Sequence, residues 1–302
     1  MIDTYVNDGL IVLEPDNSEI DPFYLLYNLN SRYEEIRQLS DANSCRGNLN
    51  ARILADLTIE LPSLSEQKII SSLLYDFDRL CSILNHENDN LEAQIKSIFL
   101  KTIDSTEVNV KFGSIIKIGS GGTPKTSVPE YWGDEIPFFS PKDVDGMYVY
   151  STEKRISKLG LDNCNSGLYP KDTTFITARG TVGKIALSAC NMAMNQSCYA
   201  ITASVAGQEH YVHQLSLYAV ESIKQKSNGA VFDAINAKDI TEELVPNLDS
   251  ESICLFERSV TPLYEMIWSN GRENESLIKI RDYLLPKLMS GEIDVSSLEI
   301  PN

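Results

Sequence analysis

Apolar positions recur with a three-then-four spacing in two long stretches of the chain. In the first stretch the alternation selects Ile70, Leu73, Phe77, Leu80, Leu84, Glu87, Leu91, Gln94 and Ile98, seven of them apolar. Adding 186 to each number gives Phe256, Ser259, Leu263, Met266, Asn270, Glu273, Leu277, Ile280 and Leu284, six of them apolar. A seam kept over about four heptads predicts two long helices packed together as an antiparallel coiled coil. The plainer alternative is an amphipathic helix pair buried in an ordinary core. Pro262 falls early in the second stretch, which predicts a kink there or a helix that begins there with Thr261 as its cap.

The offset of 186 extends beyond the helices. Asn50-Ala51-Arg52 matches Asn236-Ala237-Lys238, and Leu61-Pro62 has its counterpart in Val245-Pro246 at nearly the same distance. A helix predicted over Phe23–Leu39 is mirrored by one over Tyr211–Lys226. Between the long helices the pattern changes. Short apolar runs at Thr173–Thr177 and Lys184–Ser188 read as strands, and the segments Gly119–Pro124 and Pro129–Pro141 are rich in turn residues. The chain therefore reads as α+β, in four parts. Residues 1–62 form the latter part of one mixed domain, 63–103 a helical spacer, 104–248 a complete mixed α/β domain, and 249–302 a second helical spacer with a tail. That is one and a half repeats, with the opening of the first expected to be missing.

Composition narrows the class. Apolar residues make up 42% and charged residues 23%, the proportions of a globular protein. No apolar run approaches the roughly 18 residues that cross a bilayer, so no membrane partner is expected. The first residues carry acid (Asp3) where a signal peptide carries base, which predicts a cytoplasmic protein. Six cysteines, at 45, 81, 164, 190, 198 and 254, form no C-x-x-C pair and are expected to be free thiols packed as small apolar groups.

The net charge of −17 runs against a nucleic-acid partner and by itself favours a protein one. Its distribution shifts that reading. Residues 1–103 carry −9 and residues 249–302 carry −5, against −3 for the longer middle part. A DNA-facing surface is expected in the middle.

Candidate catalytic motifs fail on their details. Arg179-Gly180-Thr181-Val182-Gly183-Lys184 suggests a phosphate loop, but Ala178 stands where the first Gly is needed and Ile185 where Ser or Thr is needed. Gly119-Ser120-Gly121-Gly122 is followed by Pro124 and no helical pattern, unlike a dinucleotide fingerprint. Of the three histidines, His86, His210 and His213, the last pair lacks neighbouring ligands for a metal and is expected at the surface. No G-x-S-x-G elbow occurs, and Glu66-Gln67-Lys68 opens a predicted helix instead of lying on a nuclease strand. The amino-methyltransferase signature, Asn or Asp before Pro-Pro-Tyr or Pro-Pro-Phe, is absent. The chain is expected to bind without catalysing, and to need no cofactor.

Loops that mix Gly with hydroxyl, amide and basic side chains suit DNA. Backbone amides and hydroxyls hold phosphates while long side chains reach base edges. The middle domain has three such stretches, Gly119–Lys125, Arg179–Lys184 and Asn195–Ser197. The candidate contacts are Gly121, Gly122, Thr123, Lys125, Arg179, Thr181, Lys184, Asn195, Gln196 and Ser197, joined by Lys142 and Asn228. Arg179 is the leading candidate for a base or phosphate contact. Ordinary turn chemistry is the competing reading at each position, and Trp132 is expected in the core.

Several strings then resemble the specificity subunit of type I restriction-modification systems. The opening is similar to Ile118–Pro124 with Pro129–Asp134 and Ile136-Pro137-Phe138, and the middle to Ala178–Lys184 and Met194–Cys198. The exit is similar to Leu61–Gln67, and the helix end to Leu284–Ile293. The resemblance implies a target-recognition domain flanked by two long helices that form an antiparallel coiled-coil spacer. It implies double-stranded DNA, a methyltransferase subunit and a restriction (translocase and nuclease) subunit as partners. Adenine methylation and cleavage would lie in those partners. The sequence departs from the pattern in the missing opening of the first domain and in a degraded second exit, Val245–Glu251. A half-type subunit that pairs with a second copy, and an assembly subunit that binds the methyltransferase with little DNA reading, stay open as alternatives.

Overall fold

The computed structural model describes residues 10–43, 49–226 and 234–298. Helices α1 (Pro22–Ser31), α2 (Tyr33–Asn43) and α3 (Ala51–Ala55) lead into α4 (Leu64–Ile103). Strands β1 (Val108–Lys111), β2 (Ile116–Ser120), β3 (Trp132–Phe139), β4 (Tyr148–Val149) and β5 (Lys154–Ile156) follow. Next come α5 (Lys158–Asp162), β6 (Thr174–Thr177), β7 (Ile185–Ser188), β8 (Ala193–Met194) and β9 (Cys198–Ala203). The chain closes with α6 (Glu209–Lys226), α7 (Ala237–Glu242), β10 (Leu244–Pro246) and α8 (Ser250–Met289). Contacts divide it into two units, Met1–Ile83 with Asn274–Asn302, and Leu84–Glu273.

The repeat is carried into local structure. Helices α4 and α8 are each 40 residues long, and their first and last residues are 186 positions apart. Ser63 opens α4 with a capping box: its hydroxyl accepts from the Glu66 amide at 3.3 Å and its own amide donates to the Glu66 carboxylate at 2.8 Å. Asp249, 186 positions on, accepts from the Ser252 amide at 2.7 Å and opens α8. Asn50 caps α3 through the Ile53 amide, and Asn236 caps α7 through the Asp239 amide, both at 3.0 Å.

In the first unit Ile70 and Leu74 of α4 pack with Leu288 of α8, Tyr24 and Tyr27 of α1, and Val295. Asp78 accepts from Tyr27 Oη and Arg281 Nη1, each at 2.5 Å. Buried Gln67 accepts from the Asp21 amide at 2.9 Å and donates to the Glu19 and Pro62 carbonyls, so it ties the entry to α1 onto the start of α4. In the second unit Leu91, Ile95 and Phe99 of α4 pack with Phe256, Val260, Tyr264 and Ile267 of α8. Phe99 meets Phe256 edge-on at 5.9 Å, and Asn270 Nδ2 donates to Asn88 Oδ1 at 3.0 Å. Within each unit rising numbers on α4 meet falling numbers on α8, so the helices pair antiparallel as expected.

The seam itself is rotated from the expected one. Leu80, Glu87 and Gln94 are exposed, as are Ser259, Met266, Glu273 and Ile280. Leu74, Cys81, Asn88 and Ile95 replace the second row on α4, and Val260, Ile267, Asn274 and Arg281 replace it on α8. A four-then-three alternation thus wins over three-then-four, with the same one-residue shift in both copies. Small or polar Cys81 and Asn88 did not stand out beside Leu80, although they sit in the contact row.

Two further expectations are corrected. Helix α8 runs through Pro262 without starting there; Thr261 Oγ1 donates back to the Glu257 carbonyl at 2.8 Å and caps nothing. Pro262 and Arg258, whose carbonyl loses its usual partner, are both exposed, so water can take up the missing bond. The helix expected over Phe23–Leu39 breaks at Arg32, whose amide turns back to Leu29 and Asn30 carbonyls while its guanidinium holds Glu35 and the Thr58 carbonyl.

The sheet domain lies in the second unit. Its main sheet runs β2-β9-β6-β7-β4, antiparallel except for the β7–β4 pair, with a smaller sheet β5-β3-β8 and a β1-β10 pair beside it. One core joins Ile116, Ile176, Leu187 and Ile201 of the sheet to Val212, Leu215 and Ala219 of α6 and to α8. A second gathers Phe139, Phe175, Met192, Met194 and Ala200, with Phe139 stacked on Phe175 at 4.6 Å. Among the described residues, only Cys81 and Cys198 are buried as the cysteine reading expects, while Cys164 is half-buried and Cys190 and Cys254 are exposed; Cys45 lies outside the described residues. No described helix is long and apolar enough to cross a membrane.

The rotated seam is testable by truncation. Ile267→Ala is expected to cost about 2–5 kcal/mol in chemical denaturation, and its neighbour Met266→Ala less than about 1 kcal/mol. Equal losses would restore the three-then-four register.

Candidate nucleic-acid interface

Antiparallel order brings distant sequence to one end of the main sheet. Ser120 at the end of β2 pairs with Tyr199 near the start of β9. Cys198 at that start pairs with Thr177 at the end of β6, and Ile176 pairs with Ile185 at the start of β7. Strand β4 runs parallel to β7, so the segment that enters it arrives at the same end. Residues 121–125, 142, 179–184 and 195–197 therefore emerge together. Asn228 lies outside the described residues.

The loops divide into parts that hold and parts that are presented. Gly121 and Gly122 are buried, and the Gly122 amide donates to the Met194 carbonyl at 3.0 Å. A Cβ at Gly121 would stand 1.9 Å from the Asn195 carbonyl oxygen, and one at Gly122 2.6 Å from the Asn165 nitrogen. Both glycines thus serve close backbone approach. Asn195 Oδ1 accepts from the Ser197 amide at 2.9 Å and fixes that turn, while half-buried Ser197 takes the Ala178 amide on its carbonyl at 2.7 Å. Behind it, burial pushes the Cys198 thiol up to about 12, so it stays protonated.

The β6–β7 connection is a tight hairpin. Gly180 and Gly183 have φ of +79° and +74°, the left-handed region where glycine is favoured. Thr177 Oγ1 donates to the Thr181 carbonyl and accepts from the Lys184 amide, and a strand follows, which disposes of a phosphate loop opening a helix. Arg179 stands exposed beside a bridge to Ala234, and its guanidinium has no hydrogen-bonding or ionic partner among the described residues.

Thr123, Lys125, Lys142, Arg179, Thr181, Lys184 and Gln196 are exposed at this end. Thr123 Oγ1 donates to Gln196 Oε1, joining two of the loops. Lys142 lies 3.8 Å from Glu153, and Lys184 Nζ reaches the Val144 carbonyl at 3.4 Å. Trp132 is half-buried, edge-on to Phe138 at 5.7 Å, with its indole donating to the Lys125 carbonyl at 3.4 Å; it packs, as expected. The sequence reading missed Lys224, which braces the hairpin through the Gly183 carbonyl at 2.9 Å. Its distance of 41 positions from that loop left no local signal.

The histidine reading is overturned. His210 and His213 are buried between α6 and α8. His210 Nδ1 lies 2.8 Å from Glu257 Oε2, and the other oxygen of Glu257 accepts from the Tyr211 amide at 2.7 Å. His213 Nδ1 lies 2.7 Å from Tyr264 Oη, which also accepts from Gln214 Nε2 at 2.8 Å. Their spacing put both on the buried side of α6, where each finds a polar partner on α8.

Comparison with known proteins agrees with this architecture. A family model described as the type I restriction modification DNA specificity domain matches residues 1–93 and again residues 105–246. The chain belongs to this family. Its relatives include the MjaIX type I restriction enzyme specificity subunit of Methanocaldococcus jannaschii, 26% identical over 175 residues that cover 56% of this chain and 40% of that one. A putative MjaX specificity subunit of the same organism is 23% identical, covering 96% of this chain and 72% of the relative. The chain thus spans well under half of the first relative and under three quarters of the second. Among solved structures, the type I restriction-modification S subunit from M. genitalium matches with a TM-score of 0.59 at 19% identity, covering 90% and 74% of the two chains. That likeness concerns the fold. The double match of the specificity-domain model falls in step with the repeat, one match holding α1 to α3 and the other the main sheet.

The buried polar network of this family member has a pH signature. Burial, with help from His210, lowers the His213 pKa from 6.5 to about 3. Between those values the unfolded chain binds a proton that the folded chain refuses, so stability falls as pH drops below 6.5 and gains nothing above it. His213→Asn is expected to flatten the fall of the denaturation midpoint between pH 6.5 and 4. An unchanged slope would show that His213 titrates normally.

Proposed function

We propose that this end of the main sheet reads double-stranded DNA and that the chain, without catalytic chemistry of its own, directs a partner methyltransferase to its site. The observation that carries the reading is the convergence of four separate loops at one sheet end, presenting Lys125, Lys142, Arg179, Lys184, Thr181 and Gln196 outward. Basic side chains supply phosphate attraction, and Arg179 and Gln196 have the reach and donor pattern for base edges. Gly121, Gly122 and Asn195 act by holding the loops in place. Relatives that carry the name of restriction-enzyme specificity subunit support DNA recognition as the role, with methylation and restriction in other subunits.

The experiment is to map methylated adenines in a random-sequence library exposed to cells making this chain with its cognate methyltransferase, against cells lacking the chain. A discrete motif that depends on the chain is the expected result, and a palindromic one would identify a pair of chains as the reader. Absence of chain-dependent methylation despite a stable complex with the methyltransferase would leave an assembly role. With purified complex, Arg179→Ala is expected to weaken specific binding by roughly tenfold to a hundredfold, the worth of one bidentate base contact. Lys125→Ala is expected to weaken all sequences alike and to reduce the salt slope by about one.

A further inference from the structure

The connection that carries Arg179 is held from outside by a residue on another element. Helix α6 is rooted in the core by Val212, Leu215, Ala219 and Val220, and the Tyr211 amide ties it to Glu257 Oε1 of α8 at 2.7 Å. Ile223 is still buried, whereas Lys224, next along the helix, is exposed. The core thus places the backbone of Lys224, and its side chain reaches toward the rim of the sheet.

There the lysine stem lies along the β6–β7 hairpin. Its Nζ donates to the Gly183 carbonyl at 2.9 Å, and a Cβ on Gly183 would stand 2.5 Å from Lys224 Cε and 3.2 Å from Val220 Cγ1. Val220 and Lys224 are one helical turn apart on the same face, so the hairpin is seated on both. Lys226, two positions on, pairs with the Glu243 carboxylate at 2.6 Å. Lys224 has no carboxylate partner among the described residues, and its charge is directed at a neutral carbonyl.

The hairpin has need of such a hold. Gly180 and Gly183 both sit at positive φ, and with no Cβ on either the connection can pivot about them. Thr177 ties its base: the carbonyl accepts from the Gly183 amide at 2.8 Å and the hydroxyl from the Lys184 amide at 2.9 Å. On the side of Arg179, Ala178 is fixed from outside by the Ile235 amide at 3.1 Å and the Ser197 carbonyl at 2.7 Å. On the far side the Lys224 ammonium supplies a charge-assisted hold, closer than the 3.4 Å contact of Lys184 with the Val144 carbonyl. Removing it frees that side to swing about the glycines.

We propose, resting on the DNA reading given above, that Lys224 is a positioning residue for sequence preference. It fixes the approach of Arg179 to its base through the Gly183 carbonyl and makes no phosphate contact of its own.

The test is a binding cycle on the full chain in complex with its cognate methyltransferase. Two duplexes of equal length serve as probes, one with the mapped methylated motif and one without it. Lys224→Met keeps the stem and removes the donor. It is expected to weaken specific binding about tenfold, the scale of one charge-assisted hydrogen bond, with non-specific affinity and salt slope unchanged. In an Arg179→Ala background the same change is expected to cost less than about twofold, because the side chain it positions is gone. Lys224→Arg, which restores a cationic donor, should recover the preference. Equal losses in the two backgrounds, or a salt slope reduced by about one with both duplexes weakened alike, would make Lys224 a direct phosphate contact and overturn the proposal. So would an unchanged affinity, or a loss that follows a lowered denaturation midpoint. Absence of specific binding by the unmodified complex is a separate result, which strikes the DNA reading itself and this inference with it.

Discussion

Antiparallel pairing makes each strand begin where its neighbour ends, and the cluster of loops at one end of the main sheet rests on that constraint. The ladder β2-β9-β6-β7 joins segments up to 87 positions apart (Ile116 with Ala203) and leaves their connections no other place to emerge. Pairs such as Ser120 with Tyr199 and Thr177 with Cys198 fix the register at the rim, so a slip by one residue would invert every side chain of the strand. Phe175, Ala200 and Leu187, buried in those strands, resist such a slip.

The two long helices use local devices twice over. Ser63 and Asp249 begin α4 and α8 at equivalent points, and Asn50 and Asn236 begin the short helices before them. Each cap is worth about 1 kcal/mol, modest beside the packing of Phe99 on Phe256. Their value lies in fixing where each helix starts, and hence which rows face the partner. The network of His210, Glu257, Gln214 and Tyr264 adds directional bonds between α6 and α8 where apolar contact alone would allow sliding.

Much of this was legible in the sequence, for identifiable reasons. A periodic signal 40 residues long survives individual exceptions, so both helices and their 186-residue offset were visible. The face of contact was harder, because Leu80 and Ile280 are apolar yet exposed, and Cys81 and Asn88 lie in the contact row. The strands at 174–177 and 185–188 matched short apolar runs. The loops could be nominated from composition but not sorted. Whether Gly121 offers an amide to a ligand or leaves room for Asn195 depends on contacts 74 positions away. His210 and His213 were placed at the surface because their partners Glu257 and Tyr264 lie about fifty positions off on another helix.

The close approach of Gly121 to Asn195 has a bearing on how such a surface can change over generations. A rim whose shape is set mainly by buried glycines, an asparagine turn and main-chain bonds depends little on most of its outward side chains. Arg179 and Lys125, which make no side-chain bond to the frame, can be exchanged for other residues without disturbing it. The glycines cannot vary without forcing the backbones apart. The rim thus separates two kinds of position, outward ones that tolerate exchange and inward ones whose change would unmake the scaffold.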